Sequence, residues 1–512
     1  MRGAQLFSGK CFDSAPFETE PLGIALLGKK SRGAALLALA LLGISVSLPV
    51  YSQELQNEIA QDVPAKTEQI DNPEPASDDS LENEGWEDDS WGNEGWSDDN
   101  WDSEDWGEKD INATAYTLSG FVELAAGNRV ANDAAIDASS TLRDARVQLR
   151  ADYALAASKL SFRGDAWYDG VKHQREFQIR ELAWQGNLAA LGQWGNAFDL
   201  KIGQQVLTWG TGDYVFLNDL FPKDYQSFFS GRDDEYLKAP SASIKLSGYW
   251  EAINIDVVVT PEFEPDIGIT GEVFSFFSPQ ANENIAPAYT VSNDNTPSGS
   301  EVALRAHRTF SSSFGSIEAA LYGYRGYTKQ PTATDELGAP RYSRLNAIGA
   351  SVVMPLGKGI ANAEYAYYRS VDDSEGTDPS VSNSQSRYLL GYSQEVMANV
   401  TGAVQWYTEA TQHHDALLVH SLYPEYEQEA YRHWVTGRIT WQAWRQTLTI
   451  NSFLFYSPTD NDGYLKASAS YSPTDKWQVR GGVNLFSGEE SHTFFAQFED
   501  ASNVYFAFRF FY

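Results

Sequence analysis

The stretch SNVYFAFRFFY, residues 502–512, decides how the rest of the chain is read. At the two-residue period of an extended strand, Val504, Phe506, Phe508, Phe510 and Tyr512 fall on one face. A soluble sheet that ended on so apolar a strand would present an edge prone to aggregation. Closing the sheet into a ring removes that edge, so this stretch predicts a barrel and its last strand.

The same period governs the chain from about Thr114 onward. Ala145, Val147, Leu149, Ala151 and Tyr153 alternate with Arg146, Gln148, Arg150 and Asp152. Trp477, Val479, Val483 and Leu485 alternate with Gln478, Arg480 and Asn484, and Leu448, Ile450, Leu454 and Tyr456 form another apolar row. Strands between lipid and a wet lumen need this one-sided pattern, with aromatic residues where the rows meet the membrane interfaces. Composition agrees. Aromatic residues make up 13% of the chain, with 27 Tyr, 27 Phe and 15 Trp, yet mean hydropathy is negative. A helical membrane protein would be apolar on average, whereas a barrel with a polar lumen is not.

Connection lengths give an independent reading. About 18 strand-like segments (16–18) are predicted, separated by joins that alternate between short and long. Short joins fall near 155–158, 249–252, 355–359, 397–400 and 472–476; long ones cover 127–140, 209–240, 262–299, 327–340, 372–386 and 412–428. Short turns on one side and long loops on the other are the rule for outer-membrane barrels. The exceptions are a longer join at 187–197 and short ones near Asp169 and Ser457. The expected fold is therefore all-β: a transmembrane antiparallel up-and-down barrel over residues 113–512.

Two segments precede it. Lys29, Lys30 and Arg32 stand before an apolar run from Gly33 to Val50, and Val50-Tyr51-Ser52 offers a cleavage site. Residues 1–52 are thus expected to be a leader and cleaved signal peptide, with the true start codon downstream of Met1. Cys11, the only cysteine, lies within this leader, so the exported chain would have neither disulfides nor a thiol nucleophile. Residues 53–112 read as an acidic, disordered periplasmic tail. Residues 53–110 hold 21 Asp and Glu against Lys66 and Lys109, more than half of the formal net charge of −33. Within it Trp86, Trp91, Trp96, Trp101 and Trp106 recur every five residues, a spacing that matches neither helix nor strand. Tryptophan supplies anchor area and carboxylates supply selectivity, so the repeat is a candidate partner-binding segment, for a periplasmic protein or the barrel's own mouth. Nucleic acid is excluded as a partner for so acidic a chain.

Ile202 to Tyr225, IGQQVLTWGTGDYVFLNDLFPKDY, resembles a segment of a proteobacterial family of uncharacterised, porin-like outer-membrane barrels. There a G-R/Q-Q-x-x-x-W-G motif closes a strand and a D-x-F-x-P-x-D-Y-like stretch opens the next loop. The matching residues are Gly203, Gln204, Gln205, Trp209, Gly210, Asp219, Phe221, Pro222, Asp224 and Tyr225, with Phe221 and Pro222 adjacent where the family spaces them. Some relatives stand beside RND-type exporters, and the layout is broadly similar to alginate-export barrels. The final strand is likewise similar to the assembly signal of bacterial outer-membrane proteins. This resemblance implies that Phe506, Phe508, Phe510 and Tyr512 are read by the barrel-assembly machinery.

A barrel of this size leaves an aqueous passage unless something fills it. The 209–240 join is the candidate constriction, with a rigid external lid as the alternative: its many aromatics suit a packed loop, and Lys223, Arg232, Asp233, Asp234, Glu235 and Lys238 supply its charge. Arg146, Arg150 and Arg163 with Asp152 and Asp165 form a candidate lumen charge ladder, with Arg143, Arg175 and Arg180 nearby; an anion track is the sharper alternative. His413, His414 and His420 share one loop, but adjacent histidines on extended backbone diverge, so neither a metal site nor a catalytic constellation is expected, and no cofactor. Three functional readings stay open: an outer-membrane channel for a small or polymeric solute, the outer-membrane component of an export route, or a lipid-handling barrel without conductance. The expected surroundings are outer-membrane lipid, the assembly machinery and, for the second reading, a periplasmic exporter component.

Overall fold

The computed structural model describes residues 116–512, apart from residues 156, 288–290 and 314. The leader, the signal peptide and the tail with Trp86, Trp91, Trp96, Trp101 and Trp106 lie outside the described residues. Eighteen antiparallel strands form one sheet that closes on itself. The first seven are β1 (Tyr116–Arg129), β2 (Ser140–Ala154), β3 (Ser158–Asp169), β4 (Gln174–Asn187), β5 (Phe198–Val206), β6 (Pro240–Tyr249) and β7 (Asn254–Thr260). Next come β8 (Glu301–Ser312), β9 (Gly315–Tyr327), β10 (Arg344–Leu356), β11 (Gly359–Ser370), β12 (Gln385–Met397) and β13 (Val400–Thr411). The last are β14 (Tyr431–Ala443), β15 (Leu448–Ser457), β16 (Asp462–Thr474), β17 (Trp477–Gly488) and β18 (Asn503–Phe511). Each strand pairs with its sequence neighbours, and β18 pairs with β1 from Phe121–Phe511 to Arg129–Asn503.

Alternation sets the two faces. On β18, Val504, Phe506 and Phe508 point outward and are exposed, while Tyr505, Ala507 and Arg509 point inward and are buried. Phe177, Leu321, Ile348 and Leu390 are 63–65% exposed, an arrangement that suits a hydrocarbon surround. Exposed Tyr116, Tyr153, Trp441 and Trp477 ring the short-turn end, and Tyr168, Tyr388, Tyr431 and Tyr456 lie toward the other, as interfacial girdles do. The long joins all emerge at one end. The exceptions expected at 187–197, Asp169 and Ser457 are present, the first as two 3₁₀ turns, Leu188–Leu191 and Gln193–Ala197.

The seam is held beyond its ladder. Tyr512 donates its backbone N–H to Gly120 O (3.0 Å) and its hydroxyl to Gln148 O on β2 (2.8 Å). A β-carbon at position 120 would stand 2.6 Å from that hydroxyl, so the crossing requires glycine.

One feature departs from the polar lumen that alternation predicts. On β10–β17 many inward positions are apolar or aromatic: Leu345, Tyr368, Leu389, Tyr407, Phe453, Phe455, Tyr464 and Phe486 are all buried. With residues of the inward loops they form one hydrophobic core inside the barrel. Period two separates inside from outside; it does not say that the inside is wet.

Candidate functional site

The filling comes from the join between β5 and β6, residues 207–239, which folds into the lumen. Its inner lobe is closed at the base by Asp224 N–H to Leu237 O (2.6 Å) and Ala239 N–H to Pro222 O (3.0 Å). Asp224 caps the short helix α1 (Tyr225–Ser230), its Oδ1 accepting from Ser227 N at 2.8 Å. Gly231 ends the helix at φ 90°, where a β-carbon would fall 2.2 Å from the Tyr505 ring on β18. Only glycine allows both the left-handed backbone and that approach. Asp233 then caps a 3₁₀ turn, Asp234–Leu237, by accepting from Glu235 N.

Charge fixes the lobe on two sides. Toward β2–β4, Arg232 Nε meets Asp144 Oδ2 at 2.7 Å and its NH2 meets Asp169 at 3.2 Å. Arg180 donates to the carbonyls of Glu235 (2.6 Å) and Lys238 (3.1 Å). The Arg146 guanidinium sits 4.3 Å from the ring centres of both Trp167 and Tyr236, and the Tyr236 hydroxyl donates to Asp165 (3.0 Å). Toward β16–β18, Asp233 pairs with Arg480 (2.9 Å) and Arg509 (3.1 Å), and Asp234 with Lys466. Arg509 also binds Glu123 on β1 at 2.8 Å. Farther round, Arg438 on β14 meets Asp213 (3.2 Å), and Glu364 on β11 accepts from Thr211 and from Asn218 Nδ2 (2.7 Å).

Burial opposes the charge on Asp233, yet Arg480 and Arg509 hold its carboxyl well below the usual range. Burial and the adjacent Asp233 push Glu235 up. Apolar contacts complete the docking: the Phe229 ring lies 5.1–6.5 Å from those of Phe274, Tyr464, Phe486 and Phe498, in tilted or edge-on arrangements.

A second join, residues 261–300, braces the first. Lys223 N–H donates to Asp266 Oδ1 (2.8 Å), Ile267 N–H to Lys223 O (2.8 Å) and Tyr225 N–H to Ile267 O (3.0 Å). Burial pushes the Asp266 carboxyl up to about 6 despite nearby Lys223.

The residues singled out from sequence separate into groups. Arg232, Asp233, Asp234 and Glu235 touch the wall. Lys223 and Lys238 turn instead to Asp219 within the loop, at 2.9 and 3.9 Å. Arg146 and Asp165 lie beneath the lobe, 3.9 Å apart. Arg150 binds Asp152 at 3.1 Å nearer the short-turn end, with Arg163 opposite Arg150 in the register of β2 and β3. Arg143 and Arg175 face outward, away from the lumen. His414 and His420 each contact a backbone carbonyl at 2.8 Å, and no trio of metal-ligating side chains forms among the described residues. Reading the sequence for this site passed over Glu123, Arg438, Lys466 and Arg509. The available signal was their inward parity.

No protein-family model matches the sequence, and no curated protein matches it. Among solved structures, OccK2 (OpdF) of Pseudomonas aeruginosa, in complex with glucuronate, is 10% identical with a TM-score of 0.49, covering 77% of this chain and 97% of that one. A BenF-like porin from Pseudomonas fluorescens Pf-5 is 9% identical with a TM-score of 0.46, covering 78% and 98%. Salmonella typhi OmpF in complex with daunomycin is 8% identical with a TM-score of 0.39, covering 78% and 97%. The likeness is one of porin-like barrel architecture.

Proposed function

We propose that this chain is an outer-membrane channel for small hydrophilic solutes in which residues 207–239 set the passage. One observation carries the reading: a loop inside an 18-stranded ring is held by ion pairs to β2–β3 on one side and β16–β18 on the other. A ring of this size is wide enough for water, so whatever occupies it governs what passes. The charged contacts between loop and wall lie along β1–β4 and β17–β18, where Glu123, Arg146, Asp165, Arg180, Arg480 and Arg509 face the loop. Field lines from such groups bias which ions enter.

The test is single-channel recording in planar bilayers. The intact chain should show small conductance. Replacing residues 210–238 by a short Gly-Ser linker should raise it severalfold, with the fold checked by heat-modifiable gel mobility. A second reading, a barrel that does not conduct, is favoured by the aromatic core inside β10–β17. Silence from both the intact and the excised barrel would establish it and overturn the first.

A further inference from the structure

Charge on the outward face is distributed unlike charge anywhere else in the molecule. By strand alternation, the Asp, Glu, Lys and Arg side chains that β1–β18 direct away from the lumen are Arg143, Arg175, Arg308, Arg325, Arg344 and Arg369. Every one is an arginine, and all are exposed. All but Arg308 lie toward the long-loop end. Arg325 on β9 pairs in register with Asn346 on β10, and Asn346 with Arg369 on β11. The three therefore stand in one row across adjacent strands, with the two arginine backbones ~10 Å apart from two interstrand spacings.

The inward arginines behave differently. Arg129, Arg146, Arg150, Arg305, Arg387, Arg432, Arg438, Arg480 and Arg509 have carboxylate partners, and Arg180 donates to two loop carbonyls. On the outer face Arg344 meets Asp372 at 2.6 Å, but Arg325 and Arg369 have no ion pair or hydrogen-bond partner among the described residues. A guanidinium at the edge of a hydrocarbon surface is costly without a counter-charge. Its planar fork of donors matches phosphate oxygens, and a single-sign row of arginines without lysine fits that geometry.

We propose that Arg325, Asn346 and Arg369 form a binding site for the phosphate groups of an outer-leaflet glycolipid. This rests on the long loops of an outer-membrane barrel facing outward, and not on conductance. Asn346 lies between the two arginines in the strand register and offers an amide to the same headgroup. The apolar outward residues one step below, Gly323, Ile348 and Tyr367, give the acyl chains a surface continuous with the belt.

The experiment uses the full chain in detergent, with bisphosphorylated lipid A as probe and native mass spectrometry as readout. The R325Q/R369Q variant should lose about tenfold in retained lipid, the scale of a charge-assisted phosphate contact. R308Q, at the opposite end, should retain lipid as the parent does, and dephosphorylated lipid A should bind the parent as weakly as the double variant binds the phosphorylated form. Equal retention by parent and double variant would overturn the site. Full displacement by equimolar inorganic phosphate would overturn the lipid as its ligand. Heat-modifiable mobility shows that each variant is folded, and a barrel that binds lipid yet does not conduct leaves this site intact while overturning the channel.

Discussion

On β1–β4 the inward positions hold Glu123, Asp144, Arg146, Gln148, Asp165 and Arg180, whereas on β11–β17 Tyr368, Leu389, Tyr407, Phe453, Phe455, Tyr464 and Phe486 build an apolar surface among a few charged groups such as Glu364, Glu409 and Lys466. Both arcs follow the same alternation and the same closed ladder. They differ in what they ask of the loop between them. The polar arc needs partners for groups that water would otherwise solvate, and receives Arg232, Tyr236 and the carbonyls of Glu235 and Lys238. The apolar arc needs shape, and receives Val215, Leu217, Phe228 and Phe229. One segment is amphipathic across its width, so it lies across the lumen in one orientation. The comparison teaches that a barrel wall is able to specify its own filling, as the surface of a soluble core does.

The comparison is open to attack from the apolar side first. Phe229→Ala removes a buried ring from an aromatic cluster and should cost about 4 kcal/mol, seen as a fall in the temperature of heat-modifiable unfolding. A loss no larger than that of an exposed outward phenylalanine, such as Phe177→Ala, would show that the inner core contributes nothing.

A smaller effect is expected on the polar side. Arg232→Gln leaves Asp169 without its loop partner, but Asp144 keeps Arg146 at 3.5 Å. The cost should therefore be about 2 kcal/mol, below that of a fully orphaned buried charge. The lobe should then come away from β2 and β3 only, so a cysteine introduced at Glu235 should label faster while one at Phe228 stays protected. Equal labelling at both positions would mean that the loop moves as a rigid whole.

The smallest effect is one of pH. Asp266 titrates at about 6 in the folded protein against 3.8 for a free side chain, so the docked state favours the protonated form. The stabilisation is full below the free value and is lost as pH rises through about 6. The contact between residues 223–225 and 266–267 should be tighter at about pH 5 than at about pH 7, read as slower proteolysis of the 261–300 join. Asp266→Asn should flatten that dependence; an unchanged slope would assign it to another group.

Much of this architecture was legible because its rules are local. The strands, their number and the short and long joins follow from period two and turn length. The 209–240 join stood out through aromatics that a solvated loop does not need. The inner core was not legible, because Phe453 and Phe455 differ from girdle aromatics only in parity and depth, and depth depends on how far a loop reaches inward. The Arg232–Asp144 pair was hidden for a related reason. It joins residues 88 positions apart, through a chain reversal that no spacing encodes. Arg143 and Arg175 neighbour the charge ladder in sequence, yet they stand on the outward parity of β2 and β4.

The crossing of Tyr512 over Gly120 to Gln148 has a consequence for how the ring counts itself. A slip of β18 by one residue would turn Phe506 and Phe508 inward and Arg509 into lipid. A slip by two keeps the faces but carries the hydroxyl about 7 Å along the strand, out of reach of its carbonyl. The ladder alone tolerates the second error; the tyrosine does not. Its hydroxyl works as an index mark, accepting one alignment of the first strand with the last and leaving its neighbours unlocked.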